Sequence, residues 1–186
     1  MRVNLGPKTY LYPMPVLIIG TYDEQMNPNA MNAAWGGISD YKQISIALDL
    51  SHKTVKNILQ HNAFTVSIAN VANTAQADYV GIVSGNDVAN KIEKVGWHVE
   101  KSTFVNAPLF LELPMTLECN LVSLNEETGI LIGEIVNISV DESILTNGDK
   151  LDVKKLNPIT YDPANHNYIA LGEIVGQAFQ EGKKIK

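Results

Sequence analysis

Four consecutive residues, Ser51-His52-Lys53-Thr54, combine two hydroxyls, an imidazole and an ammonium. They follow a strand-like segment and stand where a helical pattern begins. A helix N-terminus exposes unpaired backbone N–H groups and carries partial positive charge, so it accepts anions. Ser51 and Thr54 would add hydroxyl donors, and Lys53 a full charge. Charge-assisted bonds of this kind contribute roughly 1.5–3 kcal/mol each. The chemistry on offer is the grip of a phosphate. A plain capped helix explains the same residues, because Ser is a favoured N-cap. Asp49, just upstream, would repel an anion.

Two further segments could approach a ligand. In Asn29-Ala30-Met31-Asn32-Ala33-Ala34-Trp35-Gly36-Gly37 the small residues leave the backbone accessible. The competing reading is a hairpin strand whose Trp35 fills the core. In Val83-Ser84-Gly85-Asn86-Asp87, with Lys91 one turn further on, a Gly-containing turn could present N–H groups to phosphate. The same residues also make an ordinary turn and N-cap.

Other chemistries lack their motifs. His52, His61, His98 and His166 do not pair at metal-ligand spacing, and no H-E-x-x-H occurs, so no metal site is expected. A solvated surface position is the expectation for each. No G-x-S-x-G elbow and no G-x-G-x-x-G after a strand appear. Cys119 sits on an alternating strand and reads as a buried small hydrophobe.

The elements that must position these segments follow from periodicity. Residues 15–22 form an apolar, strand-like run, and Asn27-Pro28-Asn29 is a turn signal. Residues 30–35 could return as a hairpin strand that Gly36-Gly37 breaks. In the strand over 43–49, Ile44, Ile46 and Leu48 share one face. A helix then opens at Ser51, with Val55, Ile58, Leu59 and Asn62 on one side. A short strand over 64–69 and helices over 73–83 and 86–95 come next. In residues 115–124, Leu117, Cys119 and Leu121 alternate with Thr116, Glu118 and Asn120. Residues 130–140 repeat the pattern after a hairpin loop over 125–129. Tyr168 to Leu171 reads as a last strand. Sequential antiparallel strands with a few short helices point to a mainly β fold, a closed or nearly closed barrel with flanking helices. Periodicity alone leaves a sandwich open.

The chain has 186 residues, which suits a single domain over 1–186. Lys plus Arg is 14 and Asp plus Glu is 20, a formal charge of −6. Nucleic-acid binding needs clustered cations, and the Lys183-Lys184 pair is too small a cluster. One cysteine cannot make an internal disulfide, so a reducing, cytoplasmic setting is expected. The apolar run Val16-Leu17-Ile18-Ile19 is short and follows Pro13 and Pro15, unlike a signal peptide. No stretch approaches the roughly 20 apolar residues that cross a bilayer.

Read in order, these segments resemble the flavin reductase-like family, the FMN-binding split β-barrel proteins that include flavoredoxins and NAD(P)H:flavin oxidoreductases. The carrying residues are Asn32-Ala33-Ala34-Trp35, Ser51-His52-Lys53-Thr54 with Asn57-Ile58, and Val83-Ser84-Gly85 with Asn90-Lys91. Leu117-Glu118-Cys119, Ile132-Gly133-Glu134-Ile135-Val136, Asp141-Glu142 with Ile144-Leu145, Pro158-Ile159-Thr160-Tyr161, Tyr168 and Gly172 follow.

The resemblance implies an antiparallel split barrel of six or so strands, a homodimer, and FMN near the subunit interface. Main-chain groups of Met31, Asn32, Ala33, Ala34 and Trp35 would contact the flavin ring. Ser51, His52, Lys53 and Thr54 would hold the phosphate, helped by Ser84, Gly85 and Lys91. Many members of the family carry Arg where His52 stands, and His is a pH-dependent cation near neutrality. The cofactor would do the redox chemistry, so no side chain is assigned a catalytic role. The implied activity is hydride transfer from a reduced nicotinamide to flavin N5. The alternative is an FMN electron carrier served by a redox partner protein.

Overall fold

The structure, a computed structural model, describes residues 1–185. Its main sheet has seven strands in the order Pro28–Ala33, Leu17–Tyr22, Ala63–Ile68, Met115–Asn125, Ile130–Val140, Gln43–Ala47, Gly36–Asp40. Every neighbouring pair is antiparallel. The two edge strands are consecutive in the chain, with only Ala34 and Trp35 between Ala33 and Gly36. Three Cα steps span at most about 11 Å. The sheet must therefore curl until its edges nearly meet. The Ala47 amide donates to the Trp35 carbonyl at 2.8 Å, which ties the linker to the Gln43–Ala47 strand. The result is the expected antiparallel split β-barrel with helices on its flanks.

The Leu17–Tyr22 strand is buried along its whole length. Its apolar run serves two cores, as a strand covered on both faces must. Leu17 and Ile19 join Ile44, Ile46, Phe64, Val66, Leu117, Cys119 and Leu131 inside the barrel. Ile18 joins a second core outside it, with Ala77, Val80, Trp97, Phe110 and Ile159. Helix α1, Lys53–His61, sends Val55 and Ile58 into the barrel core. Helix α2, Thr74–Ile82, covers the outer core through Ala77 and Val80, and the short helix α3, Lys91–Lys94, adds Ile92. A second sheet of Met14–Pro15, Ile159–Asp162 and Asn167–Ala170 packs beside α2.

Several local expectations change. Gly36 and Gly37 do not break a strand but open one. A Cβ on Gly36 would lie 2.9 Å from Leu17 Cδ1, so glycine lets this edge strand close over the core. The helix expected over 86–95 shrinks to α3, because a turn built on Ser84 occupies its first half. Leu59 is exposed, and Asn62 ends α1 in the left-handed region at φ 52°. Asn57 is buried instead, its amide donating to Thr21 Oγ1 at 3.0 Å. Thr116 and Glu118, expected on a polar face, are both buried. Glu118 accepts from Ser102 and from the Asn137 amide, which replaces the lost water. Trp35 does not fill the core: it is 57% exposed.

Gly133 sits at a register shift in the long hairpin, and a Cβ there would meet Phe64 Cζ at 2.3 Å. Phe64 is fully buried in the barrel core and cannot retreat. Gly133→Ala should destabilise the fold by about 1–3 kcal/mol, the usual cost of overpacking, read as a lower urea midpoint.

Candidate functional site

The start of α1 offers free donors. His52 is the N-cap, in extended conformation, and makes no side-chain capping bond. Its carbonyl accepts from the Val55 and Lys56 amides. The amides of Lys53 and Thr54 have no partner among the described residues. The Ser51 cap foreseen from sequence does not form. Ser51 Oγ and N both reach Asp49 Oδ1, at 2.7 and 2.8 Å, so the Ser51 hydroxyl is committed to a carboxylate. These bonds from the Ser51 amide and hydroxyl hold the Asp49 carboxyl below its ordinary range.

A second set of free amides lies in the turn after α2, which packs against the start of α1. The Ser84 carbonyl accepts from the Asp87 and Val88 amides, and Ser84 Oγ accepts from the Asn86 amide. The Ser84 and Gly85 amides have no partner among the described residues. Gly85 packs so closely that a Cβ would lie 2.2 Å from Asn29 Oδ1 and 3.3 Å from Lys53 Cδ. Asn29, itself buried, donates its amide to Thr54 Oγ1 at 2.8 Å. That leaves the Thr54 hydroxyl hydrogen free to donate. The Asn86 side chain reaches the Ser51 carbonyl at 3.5 Å. The structure thus brings together Ser51, Lys53, Thr54, Ser84 and Gly85, which the chain separates by about thirty residues.

Lys53 is oriented by Asp23, with Nζ 3.1 Å from Oδ2 and a side chain still 23% exposed. Asp23 also accepts from the Gln25 and Asn27 amides and from the Asn27 side chain. Burial works to raise the Asp23 pKa, but the Asn27 amide and Lys53 bring it below the ordinary carboxylate value. A 290 Å³ recess lined by Asp23, Lys53, Lys56 and Gly85 opens beside this pair.

The strand Pro28–Ala33 continues from this cluster along α2. Met31 and Ala33 turn their side chains into the barrel, so only their main chain is available outside. Asn32 faces α2: its amide donates to the Ala77 carbonyl at 3.0 Å, and a Cβ on Gly81 would lie 2.9 Å from Asn32 Cβ. Asn32 and Ala34 line a 360 Å³ recess with Val16, Asp78, Gly81, Ile82, Tyr161 and Tyr168. The Tyr168 hydroxyl donates to Asp78 at 2.8 Å, and burial followed by that bond pushes its pKa up to about 12. Trp35 lies at the mouth of a separate 660 Å³ recess with Lys8, Tyr10 and Leu11.

Lys91 is 2% exposed, and its ammonium donates to the Val80 and Val83 carbonyls at 3.3 and 3.0 Å. Burial, then the charge of Lys53, lowers its pKa to about 8. His61 is not a solvated surface residue either. Its ring bridges the Asp23 carbonyl and the Asn106 side chain, each at 3.0 Å. Cys119 is fully buried, and burial followed by Glu118 pushes its thiol up to about 12, so it is inert. Among the described residues no three His, Cys, Asp or Glu side chains group as metal ligands, and no helix is long and apolar enough to cross a membrane. Asn29 opens one of the segments expected to approach a ligand, but no motif marks its side chain or that of Asp23, and both join the site only in three dimensions.

The split barrel defines a class of fold, and known proteins share it. The family profile described as a flavin reductase like domain matches residues 9–166. The chain belongs to the flavin reductase-like family. Flavoredoxin of Desulfovibrio vulgaris (Miyazaki F) superposes with a TM-score of 0.93 at 37% identity, covering 98% of this chain and 100% of that one. Flavoredoxin from Methanosarcina acetivorans gives 0.89 at 26% identity, covering 100% of both. A curated protein of Aquifex aeolicus (strain VF5), itself uncharacterised, is 29% identical over 125 residues. That match spans 64% of this chain and 62% of the Aquifex protein.

The lowered pKa of Asp23 makes a pH prediction. A carboxyl held below its unfolded value of about 3.9 stabilises the fold fully above that pH. The contribution is lost as pH falls through the folded value. Asp23→Asn should therefore leave a shallower dependence of stability on pH below about 4, read from urea midpoints across an acid series.

Proposed function

We propose that this chain is an FMN-binding oxidoreductase of one domain that takes hydride from NAD(P)H. The carrying observation is the convergence of free amides at Lys53, Thr54, Ser84 and Gly85 beside the Lys53 ammonium. Such a cluster suits a phosphate monoester, and Gly85 lets its loop approach Asn29 and Lys53 more closely than a residue with a Cβ could.

The geometry also fits the rest of the cofactor. Asn29 at the cradle and Asn32 at the 360 Å³ recess are three residues apart on one edge strand, a rise of about 10 Å. Their side chains lie on opposite faces, so a ligand joining the two would run along the strand's open edge. A phosphate at one end and a planar ring at the other can be joined by a short polyol. Bound there, FMN would supply the hydride-accepting and electron-donating chemistry. Lys53 and the α1 amides would neutralise the phosphate. Main-chain groups of Met31 to Trp35 would orient the ring, and Asn32 would fix the strand against α2. His52, exposed beside the cradle, would add charge only when protonated.

Exposed Ile38, Tyr41 and Ile138 line a 670 Å³ apolar recess on the open side of the barrel. That surface supports the homodimer reading, with a second copy as its cover.

The 37% identity to a flavoredoxin across both whole chains favours a second reading, an FMN electron carrier reduced by a partner protein. Steady-state oxidation of NADH and NADPH with added FMN separates the two. Turnover with either nicotinamide is expected. Negligible turnover with both overturns the reductase reading and leaves the carrier. Lys53→Ala should raise the FMN dissociation constant by about ten- to 150-fold, the equivalent of roughly 1.5–3 kcal/mol. An unchanged constant would remove Lys53 from the phosphate site.

A further inference from the structure

A buried, charged side chain needs a reason. Lys91 is 2% exposed, and its ammonium donates to the Val80 and Val83 carbonyls at the end of α2. In a continuing helix the Ser84 amide would donate to the Val80 carbonyl, four residues back. Here α2 stops at Ile82, and the Val83 amide is the last to bond back, to Tyr79. The ammonium takes the carbonyl that Ser84 would have used. It also takes the Val83 carbonyl, while the Asp87 amide that could have reached that group bonds to Ser84 instead. Each substitution satisfies a helix-end acceptor from the side and leaves the chain free to turn.

We propose that Lys91 is a positioning residue for phosphate recognition: by capping α2 it releases the Ser84 and Gly85 amides and aims them at the start of α1. This rests on the phosphate site proposed above. Two of the Lys91 donors go to the Val80 and Val83 carbonyls. Its contribution is to end the helix at the point where Gly85 meets Asn29 and Lys53. The lowered pKa of Lys91 agrees with an ammonium kept at a desolvation cost for its hydrogen bonds.

Binding of FMN and of riboflavin, which lacks the phosphate, tests the role. The wild type should bind FMN more tightly than riboflavin. Lys91→Met keeps the volume and removes the donors. It should reduce the FMN-over-riboflavin preference by about tenfold or more while riboflavin affinity holds. Lys91→Arg, which keeps a cationic donor, should recover part of it. A folded Lys91→Met protein with the preference intact overturns the proposal. So does an equal loss for both ligands, which marks a merely structural role. A wild type with no preference for FMN overturns the phosphate site, and the role of Lys91 with it. Should Lys91→Met fail to fold, amide exchange of the FMN-free wild type decides. The Ser84 amide should exchange without helical protection and slow on adding FMN. Helix-like protection before FMN is added would contradict the release of that amide.

Discussion

The side chain of Asn29 holds the candidate site together. It is buried where three parts of the chain meet: its own strand, the first turn of α1 and the turn after α2. Its amide bonds to Thr54 Oγ1 at 2.8 Å, and its carbonyl oxygen lies where a Cβ on Gly85 would have to sit. A buried amide must satisfy its donors, so this contact fixes Thr54. A glycine opposite it is the one residue that lets the second loop come this near. From that junction follow the direction of the Lys53 and Thr54 amides, the approach of Ser84 and Gly85, and the placing of Lys53 between the cradle and Asp23.

The barrel makes the junction possible. Because Ala34 and Trp35 alone connect the two edge strands, the sheet curls, and the strand carrying Asn29 and Asn32 lies at the split rather than in the middle of a closed wall. One face of that strand feeds Met31 and Ala33 to the barrel core. The other gives Ala30 to the outer core and Asn32 to α2. Helix α1 is held by Val55 and Ile58 inside the barrel, so its exposed N-terminus is anchored by apolar burial and not by a capping side chain. The polar site lies where the two apolar cores leave off, and its buried side chains, Asn29 and Thr54, bond to each other.

Much of this was legible in the sequence. The strands around Leu17 to Tyr22 and Ile130 to Val140, and the burial of Cys119, follow from simple periodicity. The helix after Ser51 was visible as a change of period. Its details were not. Ser51 is a favoured cap by residue type, yet Asp49 two residues back competes for its hydroxyl. Lys91 stands one turn beyond a glycine turn in the sequence, but its bonds to the Val80 and Val83 carbonyls depend on which acceptors a helix end leaves open. Glu118 fell in a polar register, and only Ser102 and Asn137 from other segments make its burial tolerable. A large aromatic such as Trp35 is expected in the core from its type alone. The two-residue linker at the barrel's split puts it outside. In each case the missing information is tertiary.

The central claim is that the start of α1 and the turn after α2 form one anion cradle for the phosphate of FMN. Amide chemical shifts of the labelled protein during FMN titration test it most directly. The largest changes should fall together on Lys53, Thr54, Ser84 and Gly85, with smaller ones along Met31 to Trp35. Changes confined to other surfaces, or a spectrum that FMN leaves untouched, would contradict the account.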